Sequence, residues 1–176
     1  PEKSYKTMLA VELAVAVSAG TPFLNRFHSK TTGPVLLISV EETPGALAQR
    51  VDRIYQLRNV PEDLRTVIVR PRHGFRLDTD QARDEFREAV EQLRPRLVVL
   101  DPLVEISGIA SESCLAQVKV LLTYLKDLAR DTGTAIVVVH HSAKTGGKMR
   151  GTGYLEGWWR SKIELTCEKD DVVLRI

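Results

Sequence analysis

Lys6-Thr7, Glu41-Glu42, Asp101 and His140-His141 are the residues whose types and surroundings suit chemistry on phosphates. Lys6 and Thr7 open an apolar, helix-forming segment and match the last two positions of the phosphate-loop pattern GxxxxGK[ST]. Backbone N–H groups at a helix start favour phosphate, an ammonium there neutralises the β- and γ-phosphates, and a hydroxyl can ligate Mg2+. The match is incomplete. Tyr5 stands where the second glycine is usual, and the first would fall one place before Pro1. The reading therefore expects a glycine directly before Pro1 and an apolar strand before that. A Lys-Thr pair taken alone also suits an exposed helix start.

Asp101 closes the run RLVVLD. A carboxylate at the carboxyl end of a buried strand is placed to hold Mg2+ through water beside Thr7; Asp-Pro is equally a common turn. Glu41 and Glu42 follow VLLISV in the same position, where one carboxylate could polarise an attacking water. Alternating side chains let only one of the two face a site, and Glu41 is favoured; the plain alternative is that both are solvated charges leading into a helix. His140 and His141 follow TAIVVV. Neighbours on a strand point to opposite faces, so a shared metal is disfavoured and a γ-phosphate sensor fits better. His28 and His73 read as surface-loop residues.

Apolar runs and amphipathic segments alternate along the chain and must position these groups. Residues 6–19 form an Ala/Leu/Val-rich helix, apolar around most of its circumference and closed by Gly20. VLLISV at 35–40 is a strand. A helix from Pro44 carries Leu47, Val51, Ile54 and Leu57 or Arg58 at helical spacing. TVIVR at 66–70, RLVVLD at 96–101 and TAIVVV at 134–139 are further strands. They are separated by helices starting at Thr79 or Asp80, with Ala82, Phe86, Ala89, Val90 and Leu93 on one face, and at 113–131. RSKIELTCEK and DVVLRI form a closing pair around a Lys169–Asp171 turn. Strands without polar alternation mean a mostly parallel sheet covered on both faces, whose ligands gather beyond the strands' carboxyl ends.

The 176 residues hold 25 Lys+Arg against 23 Asp+Glu, a net charge of +2 that excludes a strongly basic nucleic-acid clamp. With 43% hydrophobic residues the chain builds a real core. Two distant cysteines argue against a disulfide framework or zinc ribbon and for a reducing, cytoplasmic setting. No apolar run reaches the roughly 18 residues of a membrane span; MLAVELAVAV is interrupted by Glu12.

Four strand ends bearing Lys/Thr, Glu, Asp and His, in that order, resemble the RecA-like P-loop ATPases. The likeness is strongest to the AAA-annotated branch that holds plasmid and phage hexameric replicative helicases. The motifs are KSYKTMLAVELAVAV, LLISVEETPGAL, RLVVLDPLVEI, VVVHHSAK and MRGTGYLEG, which together cover residues 1 to about 165. The resemblance implies an α/β three-layer sandwich with a mostly parallel RecA-like sheet, helices on both faces and the C-terminal strands closing the sheet. It further implies one ATPase core over 1–176 that lacks its first strand.

Its expected ligands are ATP and Mg2+. Lys6 resembles the phosphate lysine, Thr7 the magnesium ligand and Asp101 the Walker B aspartate, with Lys3, Ser4 and Tyr5 as loop contacts. Glu41 matches the catalytic glutamate and His141 the sensor, with His140 as its substitute. Arg150 resembles an arginine finger that reaches a neighbouring subunit, assisted by Lys144. A homo-oligomeric ring or filament is implied, without membrane contact. Single-stranded DNA would meet the loops 106–113 and 142–153, the second carrying Lys144, Lys148 and Arg150 among glycines. Trp158 and Trp159 read as base-stacking candidates or, more simply, as a dipeptide that packs one ring inward.

Overall fold

The computed structural model describes residues 5–70, 74–108, 115–140, 158–168 and 171–175. Helix α1 (Lys6–Ala19) leads to β1 (Val35–Ser39), α2 (Pro44–Leu57), a short 3-10 turn at Glu62–Leu64, and β2 (Val67–Val69). Then follow α3 (Asp80–Leu93), β3 (Leu97–Asp101), α4 (Leu103–Ser107), α5 (Leu115–Thr132) and β4 (Ala135–Val138). The hairpin β5 (Glu164–Glu168) and β6 (Asp171–Arg175) comes last.

Strands β2-β1-β3-β4 form one parallel sheet in that spatial order. Its strands are apolar on both faces, and their alternation sorts side chains into two cores. Val35, Leu37, Leu97 and Val99 pack with Ala10, Val11, Ala14 and Val15 of α1 and with Leu47 and Val51 of α2. Leu36, Ile38, Val98 and Leu100 pack with Phe86 and Val90 of α3 and with Leu121, Leu122, Leu125 and Leu128 of α5. The result is the expected three-layer α/β sandwich. Among the described residues no helix is long and apolar enough to cross a membrane.

Local chemistry sets the boundaries. Gly20 ends α1 at φ 70°, and a Cβ there would lie 2.9 Å from Thr32 Cγ2, so this turn needs glycine. Thr79 caps α3 by accepting a hydrogen bond from the Ala82 amide at 3.2 Å. Glu12, the acid inside apolar α1, pairs with Arg58 and accepts from the Leu24 amide at 3.1 Å. Arg58 also donates to Thr21 Oγ1 at 2.7 Å and to the Pro22 carbonyl at 2.9 Å, which ties the end of α2 to the loop after α1. Burial, the largest influence on Glu12, pushes its pKa up against the opposing effects of these partners.

Two expectations change and one is sharpened. On α2 Leu47 and Val51 are buried and Ile54 packs against the same core, as expected. Of the two candidates for the next position Arg58 is half-buried while Leu57 is 74% exposed, and Tyr55 joins the buried stripe. The Tyr55 hydroxyl shares a hydrogen bond with Ser18 Oγ at 2.8 Å and accepts one from the Val67 amide at 3.0 Å. Residues 103–107 form α4, and Ile106 is 0% exposed; Ile106 and Ser107 are therefore core residues rather than part of a DNA-facing loop. Residues 109–113 lie outside the described residues. The C-terminal strands pair antiparallel as expected, but among the described residues β5 and β6 make a two-stranded sheet of their own and do not extend the parallel one.

Candidate nucleotide site

The strand order places the site. From β1 the chain moves outward to β2 and then crosses back to β3, so the order reverses between β1 and β3. Such a reversal opens a crevice at the carboxyl ends of the two strands. Ser39 and Asp101 are register partners at those ends, and the Val40 amide donates to the Asp101 carbonyl at 3.1 Å.

Asp101 shares the sheet face of Leu97 and Val99, and Ser39 that of Val35 and Leu37; this is the face covered by α1. The Thr7 hydroxyl accordingly reaches Asp101 and donates to its Oδ2 at 2.7 Å. Asp101 is 1% exposed. A carboxylate and a hydroxyl 94 positions apart thus meet in a shielded spot. The peptide bond from Asp101 to Pro102 is cis.

The start of α1 adds a positive field. Its first helical bond runs from the Leu9 amide to the Tyr5 carbonyl at 2.9 Å, so the preceding amides have no partner within the helix. No side chain caps this end, and its first turn carries no acid. These amides, the helix dipole and the half-buried Lys6 all favour an anion here. Tyr5, 56% exposed, takes the left-handed conformation (φ 54°, ψ 10°) that glycine would adopt without strain.

The other expected residues divide in two. Glu41 is exposed two positions beyond Ser39, whereas Glu42 is half-buried and ion-paired with Arg50. His140 is half-buried and follows Val139, whose amide donates to the Leu100 carbonyl at 2.8 Å, so it stands beside the end of β3. Lys3, Ser4, His141, Lys144 and Arg150 lie outside the described residues, as does His73; His28 is exposed. Trp158 and Trp159 pack against the α3/α5 core, and the Trp158 indole donates to the Leu122 carbonyl at 2.6 Å, as inward packing requires.

Ser39 is a residue that sequence reasoning missed. Its hydroxyl is buried with no hydrogen-bond partner among the described residues, at a position in register with Asp101. Buried polar groups left without a protein partner mark places for water or an ion. Its only signal in the sequence is a polar residue at the end of the apolar run VLLISV.

A family model described as an AAA domain matches residues 1–147. The chain belongs to the AAA/RecA-like P-loop ATPases. As an AAA domain it is a nucleotide-binding domain, and the matched span runs from α1 through β4. Magnesium usually accompanies the nucleotide in this family, and the residues present fit it. Thr7 Oγ1 and Asp101 Oδ2 are hard oxygen donors 2.7 Å apart, with Asp101 buried. The described residues hold no cluster of three or more His, Cys, Asp or Glu suited to a metal. Magnesium at this AAA site would therefore draw its remaining ligands from phosphate oxygens and water, as it commonly does.

Proposed function

We propose that the chain is an ATP-hydrolysing motor core that works as an oligomer on DNA, as a helicase, translocase or remodelling ATPase. The Thr7–Asp101 hydrogen bond carries this reading, because it brings the two Mg2+-ligand candidates together. Lys6 and the first amides of α1 bind the β- and γ-phosphates. Lys3, Ser4 and Tyr5 line the phosphate loop. Thr7 and Asp101 hold Mg2+, which when bound neutralises charge on the phosphate oxygens. Glu41 orients the attacking water, and the Ser39 hydroxyl offers that water, or one beside it, a further partner.

His141 senses the γ-phosphate, and Arg150, assisted by Lys144, arrives from a neighbouring subunit to stabilise charge in the transition state. The loop 142–153, with its lysines and arginine among glycines, supplies the DNA contact. The +2 net charge confines that contact to loops.

Steady-state ATPase measured with and without single-stranded DNA tests the reading. Turnover should rise with DNA, and Lys6→Ala and Glu41→Gln should each lower it by about 100-fold or more. DNA-independent turnover would make the protein a regulatory or assembly ATPase, and no turnover at high protein concentration a nucleotide-binding scaffold. Normal activity in either variant would remove that residue from the mechanism.

A further inference from the structure

A second concavity lies on the opposite sheet face from Thr7 and Asp101. It has a volume of about 590 Å3 and sits between α3 and the β1/β2 side of the sheet. Leu36, Ile38 and Ile68 form its floor. Ala82 and Ala89, two turns apart on the same face of α3, line it, and their small side chains leave the space open. Phe75 and Phe86 close one wall edge to face, with ring centroids 5.6 Å apart at 65°.

Among the described residues its charged and amide side chains are Arg70, Arg76, Glu85 and Gln92. Arg70, just past β2, and Arg76, just before α3, both line it and are exposed. Neither forms an ion pair among the described residues. Glu85 also lines the cavity, with its Oε1 accepting a hydrogen bond from Gln81 Nε2 at 3.0 Å. Two arginines and one glutamate thus line the cavity. An apolar volume of this size with a few convergent polar groups is the ordinary form of a small-molecule site.

We propose that this cavity binds an amphipathic organic anion, with an aliphatic or aryl body on the apolar floor and a carboxylate or sulfonate between Arg70 and Arg76. Guanidinium forks suit such oxyanions, and the apolar body supplies the affinity that exposed charges alone do not. The site is independent of the nucleotide site, which lies across the sheet.

Fluorescence titration of the intact protein with anilinonaphthalene sulfonate tests it. The probe should bind, decanoate should displace it, and decyltrimethylammonium should not. Saturating ATP should leave binding unchanged. Ala89→Phe, which fills the cavity, and the double substitution Arg70→Gln with Arg76→Gln should each weaken binding by about tenfold or more. Circular dichroism and melting temperature verify that each variant is folded; if Ala89→Phe does not fold, the surface double variant decides. Unchanged binding in a folded variant, equal displacement by the cation, or displacement by ATP would each overturn the proposal.

Discussion

Tyr5, at the start of α1, takes a backbone conformation suited to glycine without being glycine. An L-residue in the left-handed region costs about 1–2 kcal/mol, most for β-branched side chains. Tyr5→Gly should therefore be at least as stable as the parent in urea denaturation, while Tyr5→Val should be about 1 kcal/mol less stable than Tyr5→Gly. A glycine variant clearly less stable than the valine one would mean that the tyrosine ring, rather than the backbone, sets this site. Thr7 and Asp101 were legible through their combination, a Lys-Thr pair opening an apolar helix and an acid closing a buried apolar strand, since each alone is common at such a place. Ser39 was not. A serine in an apolar run reads as a small core residue, and its meaning rests on the register that sets it opposite Asp101.

Helices and strands were legible where the pattern was plain: the 3.6-residue period of α3, the long apolar run of α1 closed by Gly20, and the four short apolar runs of the strands. The sequence was less informative at α2, where the 3.6-residue period permits several stripes. The hydrogen bonds open to the Tyr55 hydroxyl favour Tyr55 there, while Arg58 turns toward Glu12. Helix α4 is too short for periodicity to reveal.

Between elements, Tyr124 of α5 donates to the Arg83 carbonyl of α3 at 2.6 Å and lies beneath the Arg87 guanidinium, 5.9 Å from its ring centroid. Burial, foremost, pushes the Tyr124 pKa from its ordinary value near 10 up to about 12. Below the unfolded value both states are protonated and this contribution is complete. Between pH 10 and about 12 the unfolded chain loses the proton first, so stability falls as pH rises. Tyr124→Phe should make the decline across that window shallower in denaturation at fixed pH. Tyr55, also raised mainly by burial, leaves some slope behind. An unchanged slope would show that Tyr124 does not link pH to folding.

At the scale of the whole molecule, alternating apolar strands and helices announced the α/β class, but strand order was not readable. The order β2-β1-β3-β4 depends on which side of the sheet each crossover takes, and no single segment encodes that. The separate β5/β6 sheet has the same cause. Assembly belongs to this scale as well. If Arg150 completes a neighbour's site, an Arg150→Ala chain keeps its own nucleotide pocket and a Lys6→Ala chain keeps its finger. Mixing two such inactive preparations should restore part of the ATPase activity; no rescue at any ratio would place Arg150 outside the neighbouring site.

The meeting of Thr7 with Asp101 also has a consequence in time. Contacts this distant along the chain form only after the intervening loops have closed, and parallel sheets with crossover helices assemble slowly for that reason. A competent pocket therefore has no local precursor that could form early. On dilution from urea, binding of a fluorescent ATP analogue should return in step with tryptophan fluorescence from Trp158 and Trp159, which pack on the other core. Recovery of binding ahead of that signal would mean that the first helix and the third strand find each other before the sheet exists.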